Sequence, residues 1–170
     1  MKQVLATAVG WIAKSTEAAV RLLTVVMLAV LAFQVFMRSA LNLPPSWTEE
    51  VALLAFSWTV LLGIAYGVRE GIHVRMDMLL DVFPPIVRGL FERAVLALVT
   101  CVGLFLAWSG WNYVESSAGT RSAAIAYPMP LLYSSVVVCG VLIALFGLER
   151  MVLYGRESPD DRDGLSPEGV

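Results

Sequence analysis

The sequence is poor in charged residues, which make up 15% of its 170 residues, against about 25% in soluble domains. Apolar residues make up 58%, and the mean hydropathy is +0.75. A soluble domain of this size cannot bury so much apolar surface, because its surface is large relative to its core. The composition excludes a disordered chain, a disulfide scaffold and a nucleic-acid-binding protein. It predicts an all-α integral membrane protein embedded in the lipid bilayer.

Cysteine and histidine are also scarce. Cys101 and Cys139 lie inside long apolar runs, where we expect them to act as small apolar side chains without a disulfide. The single histidine, His73, excludes a bis-histidine haem site and thus a haem-carrying electron-transfer subunit. The chain also lacks metal-ligand spacing and a nucleophile paired with a base. We therefore expect no catalytic residues, no metal and no cofactor.

Four long runs contain no Asp, Glu, Lys or Arg. They are residues 22–37, 51–68, 94–114 and 122–148, with lengths of 16, 18, 21 and 27 residues. A membrane-spanning helix needs about 20 residues. We predict one membrane domain over 1–150, with spans at about 22–38, 50–68, 94–112 and 130–149. The polar residues 151–170 are predicted to form a disordered cytoplasmic tail.

Two segments outside the runs have helical periodicity. Before the first run, apolar and small side chains share one helical face, which predicts either an interfacial helix or an N-terminal extension of the first span. In the second loop, Ile72, Met76 and Leu79 repeat at helical spacing before Pro84 and Pro85. This pattern predicts a short amphipathic helix on the membrane surface. The predicted fold is thus four transmembrane helices plus short amphipathic interfacial helices.

The positive charges are distributed unevenly. With four spans, ten of the 12 Lys and Arg residues fall on the side that holds both termini and the second loop. The positive-inside rule therefore predicts that both termini are cytoplasmic.

The second span begins with a polar motif. Ser46 and Glu49 have the spacing of a helix capping box, and Glu49 and Glu50 suit the positive end of the helix dipole. Trp47 suits the membrane interface. An alternative interpretation is that Trp47, Glu49 and Glu50 contact a partner at the outer surface.

Small residues in two spans are typical of close helix packing. Gly63 and Gly67 lie four residues apart in the second span, as do Gly140 and Ala144 in the fourth. The pattern does not distinguish packing within the chain from a contact with another membrane protein.

The four runs lack the features of a transport pathway. Ion-coupled transport uses ionisable side chains or broken helices near the bilayer midplane. Gln34 is the only strongly polar side chain well inside a run, and no proline interrupts a span interior. We therefore predict that the protein does not transport a solute by itself.

Two motifs together resemble a known family. The first is Trp47-Thr48-Glu49-Glu50, and the second runs from Arg69 through Gly71 and His73 to Asp77. With four spans, they resemble the small membrane subunit of TRAP (tripartite ATP-independent periplasmic) transporters over about residues 20–150. The family pattern marks Trp47, Glu49, Glu50, Arg69, Gly71, His73 and Asp77 as possible partner contacts.

The resemblance implies a scaffold role in a bacterial inner membrane. In this family, a large membrane subunit holds the substrate and sodium sites, and a periplasmic substrate-binding protein delivers an organic acid such as a dicarboxylate or sialic acid. Two other classes stay open from the sequence. A structural or assembly membrane protein would have the same small-residue pattern, and a membrane enzyme or electron-transfer subunit would show a bound chromophore.

Overall fold

The computed structural model describes residues 2–42, 45–70 and 85–154. It contains four helices: α1 (Lys2–Leu41), α2 (Trp47–Glu70), α3 (Pro85–Ser116) and α4 (Pro130–Tyr154). Each is long and apolar enough to cross a membrane. The predicted all-α fold with four spanning helices is confirmed. Helices α3 and α4 both begin at a proline, which is favoured at the first helical position because its missing N–H has no partner there.

Helix α1 is a single helix of 40 residues, which corresponds to about 60 Å at 1.5 Å per residue. Its continuity supports the N-terminal extension over a separate interfacial helix. The membrane-compatible part, Val9–Leu41, covers 33 residues and is longer than the predicted span over 22–38. The helix ends where Asn42 takes a φ of 54°, the left-handed conformation that commonly terminates helices.

Helix α4 lies between α2 and α3, and α1 packs mainly on α2. The apolar core joins α1, α2 and α4. Its buried members are Val9, Ala13, Leu62, Ala65, Val68, Cys139, Leu142, Ile143 and Phe146. Only the first part of α1 enters this core, because no residue of α1 after Thr16 is buried.

The two ends of the helix bundle are named here after residues of α2. The Glu50 end is where α2 and α4 begin, and the Arg69 end is where both finish. Helices α2 and α4 run parallel, since Trp58 reaches Leu131 near one end and Arg150 reaches Val68 near the other. Helix α1 runs antiparallel to α2, because Phe33 stacks on Trp47 while Gly10 lies beside Arg69.

Helices α3 and α4 approach each other through glycine. A Cβ atom at Gly140 would lie 2.4 Å from the Ala107 backbone N, and one at Gly103 would lie 2.8 Å from the Ala144 backbone N. Both distances are shorter than any ordinary carbon–nitrogen contact. The two backbones can therefore meet only because side chains are absent at these positions.

Three predicted features lie wholly or mainly outside the described residues. The amphipathic helix of the second loop falls in 71–84, and most of the polar tail falls in 155–170. The described part of the tail, 151–154, continues helix α4, so the helix extends beyond the predicted end of the fourth span at 149. The family-motif residues Gly71, His73 and Asp77 also lie outside the described residues.

One polar contact joins α2 to α4 within the spans. The Trp58 indole Nε1 donates a hydrogen bond to the Leu131 carbonyl oxygen at 3.2 Å. We expect Trp58→Phe to lower the free energy of unfolding by about 1 kcal/mol, because it keeps the aromatic ring and removes one hydrogen bond. Thermal unfolding in detergent, followed by far-ultraviolet circular dichroism, measures the change. Trp108→Phe is the control, because the Trp108 side chain is exposed; equal losses in both variants would contradict the prediction.

Candidate functional site

The first turn of α2 is held differently from the predicted capping box. The backbone N and the Oγ1 of Thr48 both donate to the Pro45 carbonyl oxygen, at 3.3 Å and 2.6 Å, and Thr48 is fully buried. The Glu49 carboxylate instead accepts a hydrogen bond from Gln34 Nε2 at 3.2 Å. Among the described residues, the predicted Ser46–Glu49 capping box is therefore not formed. Thr48 bonds to Pro45 in the first turn, and Glu49 joins α2 to α1.

Trp47 lies at the same end and contacts α1. Its ring centroid is 5.9 Å from that of Phe33, a distance at which tilted aromatic rings attract each other. The Trp47 side chain is nevertheless 41% exposed. Part of the indole therefore stays free to contact lipid headgroups or another protein.

Glu50 binds the loop between α3 and α4, residues 117–129. Its carboxylate accepts hydrogen bonds from Ser122 Oγ, from the Ala124 backbone N at 2.8 Å and from the Ile125 backbone N at 3.0 Å. These are charge-assisted bonds, which are roughly twice as strong as neutral ones. The structure thus gives Glu50 an intramolecular role that neither sequence interpretation of the acid pair had included.

The same loop has its own backbone order. Arg121 and Pro128 form an isolated β-bridge, and the Ser122 backbone N donates to the Tyr127 carbonyl oxygen at 3.0 Å. Partial burial and the neighbouring Glu50 carboxylate raise the pKa of the Tyr127 phenol. The tip is held in a bent shape, with Ala126 at a φ of 53°.

The tip of the loop presents apolar surface. Ala124, Ile125 and Ala126 are all exposed, and the Ile125 side chain is 42% exposed. Glu50 fixes the position of this tip, because it bonds to the backbone of two of the three residues. Glu50, which one interpretation of the sequence placed in contact with a partner, therefore orders a loop whose exposed tip can contact a partner.

The Arg69 end is joined by longer polar contacts. Arg69 Nε lies 3.7 Å from Glu149 Oε2, and Arg150 Nη1 lies 3.4 Å from the Val68 carbonyl oxygen. Both contacts link the last turns of α2 and α4. Of the four residues of the second motif that the family pattern marks, Arg69 alone lies in the described part of the chain, and it faces its own chain.

The four small residues of the sequence patterns have different surroundings. Gly140 and Ala144 lie in the close contact with α3, and Gly67 is buried. A Cβ at Gly63 would meet nothing within 4 Å. No close contact with Gly63 is present among the described residues, and a contact of Gly63 with another protein stays a prediction.

Two residues of the site, Ser122 and Trp58, carry no sequence signal. Ser122, Gln34 and Trp58 each bond to a group at least 15 residues away. Gln34 could have been identified as a helix contact, since a polar side chain inside an apolar run needs a partner. Among residues 2–42, 45–70 and 85–154, no three His, Cys, Asp or Glu side chains lie close enough together to hold a metal ion.

The chain is similar in sequence to relatives of known name. The chain is 30% identical over 79 residues to the C4-dicarboxylate TRAP transporter small permease protein DctQ of Vibrio cholerae, a match that covers 46% of this chain and about a third (34%) of that protein. It is 27% identical over 126 residues to the sialic acid TRAP transporter small permease protein SiaQ of the same species, covering 74% of this chain and 72% of the relative.

A third relative is much longer than this chain. The sialic acid TRAP transporter permease protein SiaT of Haemophilus influenzae is 33% identical over 85 residues, which are 49% of this chain and 14% of that protein. The family model that describes the DctQ component of tripartite ATP-independent periplasmic transporters matches residues 14–154. That match covers three helices fully and α1 from residue 14 onward, and the chain therefore belongs to the DctQ family of small TRAP transporter subunits.

Proposed function

We propose that this chain is the membrane scaffold of a sodium-coupled TRAP transporter that takes up an organic acid such as a C4-dicarboxylate or sialic acid. It works with a large membrane subunit and a periplasmic substrate-binding protein. It spans the bacterial inner membrane with both termini in the cytoplasm. The Glu50 end then faces the periplasm and the Arg69 end faces the cytoplasm. The excess of Lys and Arg at the Arg69 end favours this orientation.

One observation supports a scaffold over a transport pathway. Helices α2, α3 and α4 are unbroken, and their charge-free runs hold no ionisable acid or base. Substrate and ion sites of secondary transporters need such groups, or backbone freed by a broken helix, near the midplane. These three helices can support a moving neighbour but offer no site for a carboxylate or a sodium ion within their charge-free runs. The substrate sites then belong to another subunit.

The relatives support the choice of partners. Both small relatives described above are named as small permease proteins of TRAP transporters, one for C4-dicarboxylates and one for sialic acid. In the long relative, a segment like this chain is part of one polypeptide named as a permease. A covalent fusion keeps two subunits together, so we infer that the separate chain binds the large permease subunit.

The test is reconstitution in liposomes with an inward sodium gradient. We expect no uptake of dicarboxylate or sialic acid by this chain alone, because the charge-free runs of α2, α3 and α4 offer no acid or base to bind substrate or sodium. Uptake is expected only with the large subunit from the same organism and the loaded substrate-binding protein. Substrate accumulation by the small chain alone, above that of empty vesicles, would contradict the proposal, as would full uptake by the large subunit without it.

A further inference from the structure

Charged residues of α1 lie unexpectedly deep in the bundle. Gly10 is level with the Arg69 end, since a Cβ there would lie 3.9 Å from Arg69 Nη2. At the other end, Gln34 bonds to Glu49, so the register of α1 against α2 is known at both ends. Residue 21 is then about 16 Å beyond residue 10 along the helix, at 1.5 Å per residue.

That distance places Arg21 near the middle of the membrane. The charge-free run of α2, residues 51–68, spans about 27 Å, so its midpoint is about 13 Å from its Arg69 end. Glu17 lies one turn nearer to that end. Ala13 agrees with this depth, because it shares the buried core with Ala65 and Val68.

Of these two charges, Arg21 faces away from the rest of the chain, whereas Glu17 is half-buried and lies near Tyr66 of α2. The Arg21 side chain is 75% exposed and that of Glu17 is 34% exposed, and the two form an ion pair with each other. The Arg21 guanidinium has five N–H donors. One of them, on Nη2, bonds to Glu17. In hydrocarbon the remaining donors would have no acceptor, which makes lipid a poor neighbour for this surface.

The same surface continues as an apolar seam. We define the α1 seam as residues Lys14, Glu17, Arg21, Val25, Leu28, Ala32 and Val35. The steps are three or four residues and average 3.5, which is the repeat that keeps one stripe facing a neighbouring helix. Val25, Leu28 and Val35 are 64%, 57% and 67% exposed. A second helix could pack along this seam at the shallow crossing angle usual in membrane bundles.

We propose that the α1 seam binds a transmembrane helix of the large permease subunit, whose hydrogen-bond acceptors meet the free donors of Arg21. This inference rests on the proposed function, which supplies the partner. The large subunit fits better than lipid, because it can offer acceptors at that depth. It fits better than a second copy of this chain, because two equivalent seams in a symmetric dimer would bring Arg21 near its own copy.

Photo-crosslinking tests the location of the contact. The photoreactive residue p-benzoylphenylalanine is placed at Val25 or Leu28, in the full chain co-expressed with the large subunit. Phe105 on α3, which is 62% exposed, is the comparison position. We expect adducts with the large subunit from Val25 and Leu28. Adducts with a second copy of this chain, adducts from Phe105 alone, or no protein adduct from the seam in the purified complex would overturn the proposal.

The same experiment separates this proposal from the proposed function. If the large subunit does not co-purify with the unmodified chain, the proposed function itself fails. If it co-purifies but the seam gives no adduct with it, only the location on α1 fails. Membrane insertion of each variant is checked first by its far-ultraviolet circular dichroism.

Two arginine variants test the role of the Arg21 donors. Arg21→Gln is expected to reduce recovery of the large subunit severalfold, whereas Arg38→Gln, on the same helix beyond the level of Glu49, leaves recovery unchanged. The double variant Glu17→Arg, Arg21→Glu keeps an ion pair within α1. It places an acid opposite the hydrogen-bond acceptors of the partner, so recovery of the large subunit stays low. Full recovery with this double variant, or equal losses for both arginine variants, would overturn the contact.

Discussion

Gly140→Ala is expected to destabilise the protein, although alanine is the better helix former. The new Cβ would lie 2.4 Å from the Ala107 backbone N and 2.6 Å from the Gly103 carbonyl oxygen. Backbone atoms cannot rotate out of the way as a side chain can, so α3 and α4 must separate. Overpacking of this kind costs about 1–3 kcal/mol, which exceeds the gain in helix propensity of about 1 kcal/mol. Thermal unfolding in detergent should show a lower midpoint.

Gly63→Ala is the matched control with the opposite expected sign. Its Cβ meets nothing within 4 Å, so only the helix propensity changes, and stability should rise by about 0.5–1 kcal/mol. If both variants shift the midpoint in the same direction, the α3–α4 contact is not as close as described. Gly63→Ala also tests the hypothesis that Gly63 contacts another protein. If the variant chain is more stable but recovers less of the large subunit, Gly63 lies at the interface between the subunits.

Glu50→Gln is expected to release the loop between α3 and α4. Glutamine keeps one acceptor oxygen but turns an amide N–H₂ toward backbone N–H donors and removes the negative charge. Because hydrogen bonds to a charged group are stronger than neutral ones, we expect a lower midpoint of thermal unfolding. Hydrogen exchange of the Ala124 and Ile125 amides, which donate to Glu50, should become faster.

Glu49→Gln provides the comparison for that variant. Glu49 is exposed and makes one side-chain hydrogen bond, to Gln34, and glutamine can still accept it through its carbonyl oxygen. We expect a change below about 1 kcal/mol, chiefly from the helix dipole, and unchanged exchange in the loop. Unchanged exchange at Ala124 and Ile125 in Glu50→Gln would show that the carboxylate does not order the loop.

The two acids also separate structural from partner roles in transport assays. Both variants remove one charge from the first turn of α2, but only Glu50→Gln disturbs the loop tip. If uptake by the full complex falls only with Glu50→Gln, while the membrane subunits still co-purify, the ordered loop tip contributes to a later step such as docking of the binding protein. If uptake is normal with both, the acid pair serves the fold alone.

The sequence by itself determined the class of protein and its spans. Charge-free runs predict membrane helices because an ionised side chain is costly in hydrocarbon wherever the helix packs. The four helices of the structure contain these runs, except that the fourth run begins in the loop before α4. The two motifs and the four spans together indicate the family, which the family match over residues 14–154 confirms. Such features depend on local composition and spacing, which do not require knowledge of how the helices pair.

Only the tertiary structure decided which residues meet. Glu50 bonds to Ser122, 72 positions later, and nothing in the spacing of either motif encodes that pairing. Gly63 and Gly140 look alike in sequence, yet one faces open space and the other lies against a backbone. The depth of Arg21 likewise follows from the register of α1 against α2, because a helix slides along its neighbour until side chains interlock, and that fit depends on both helices together.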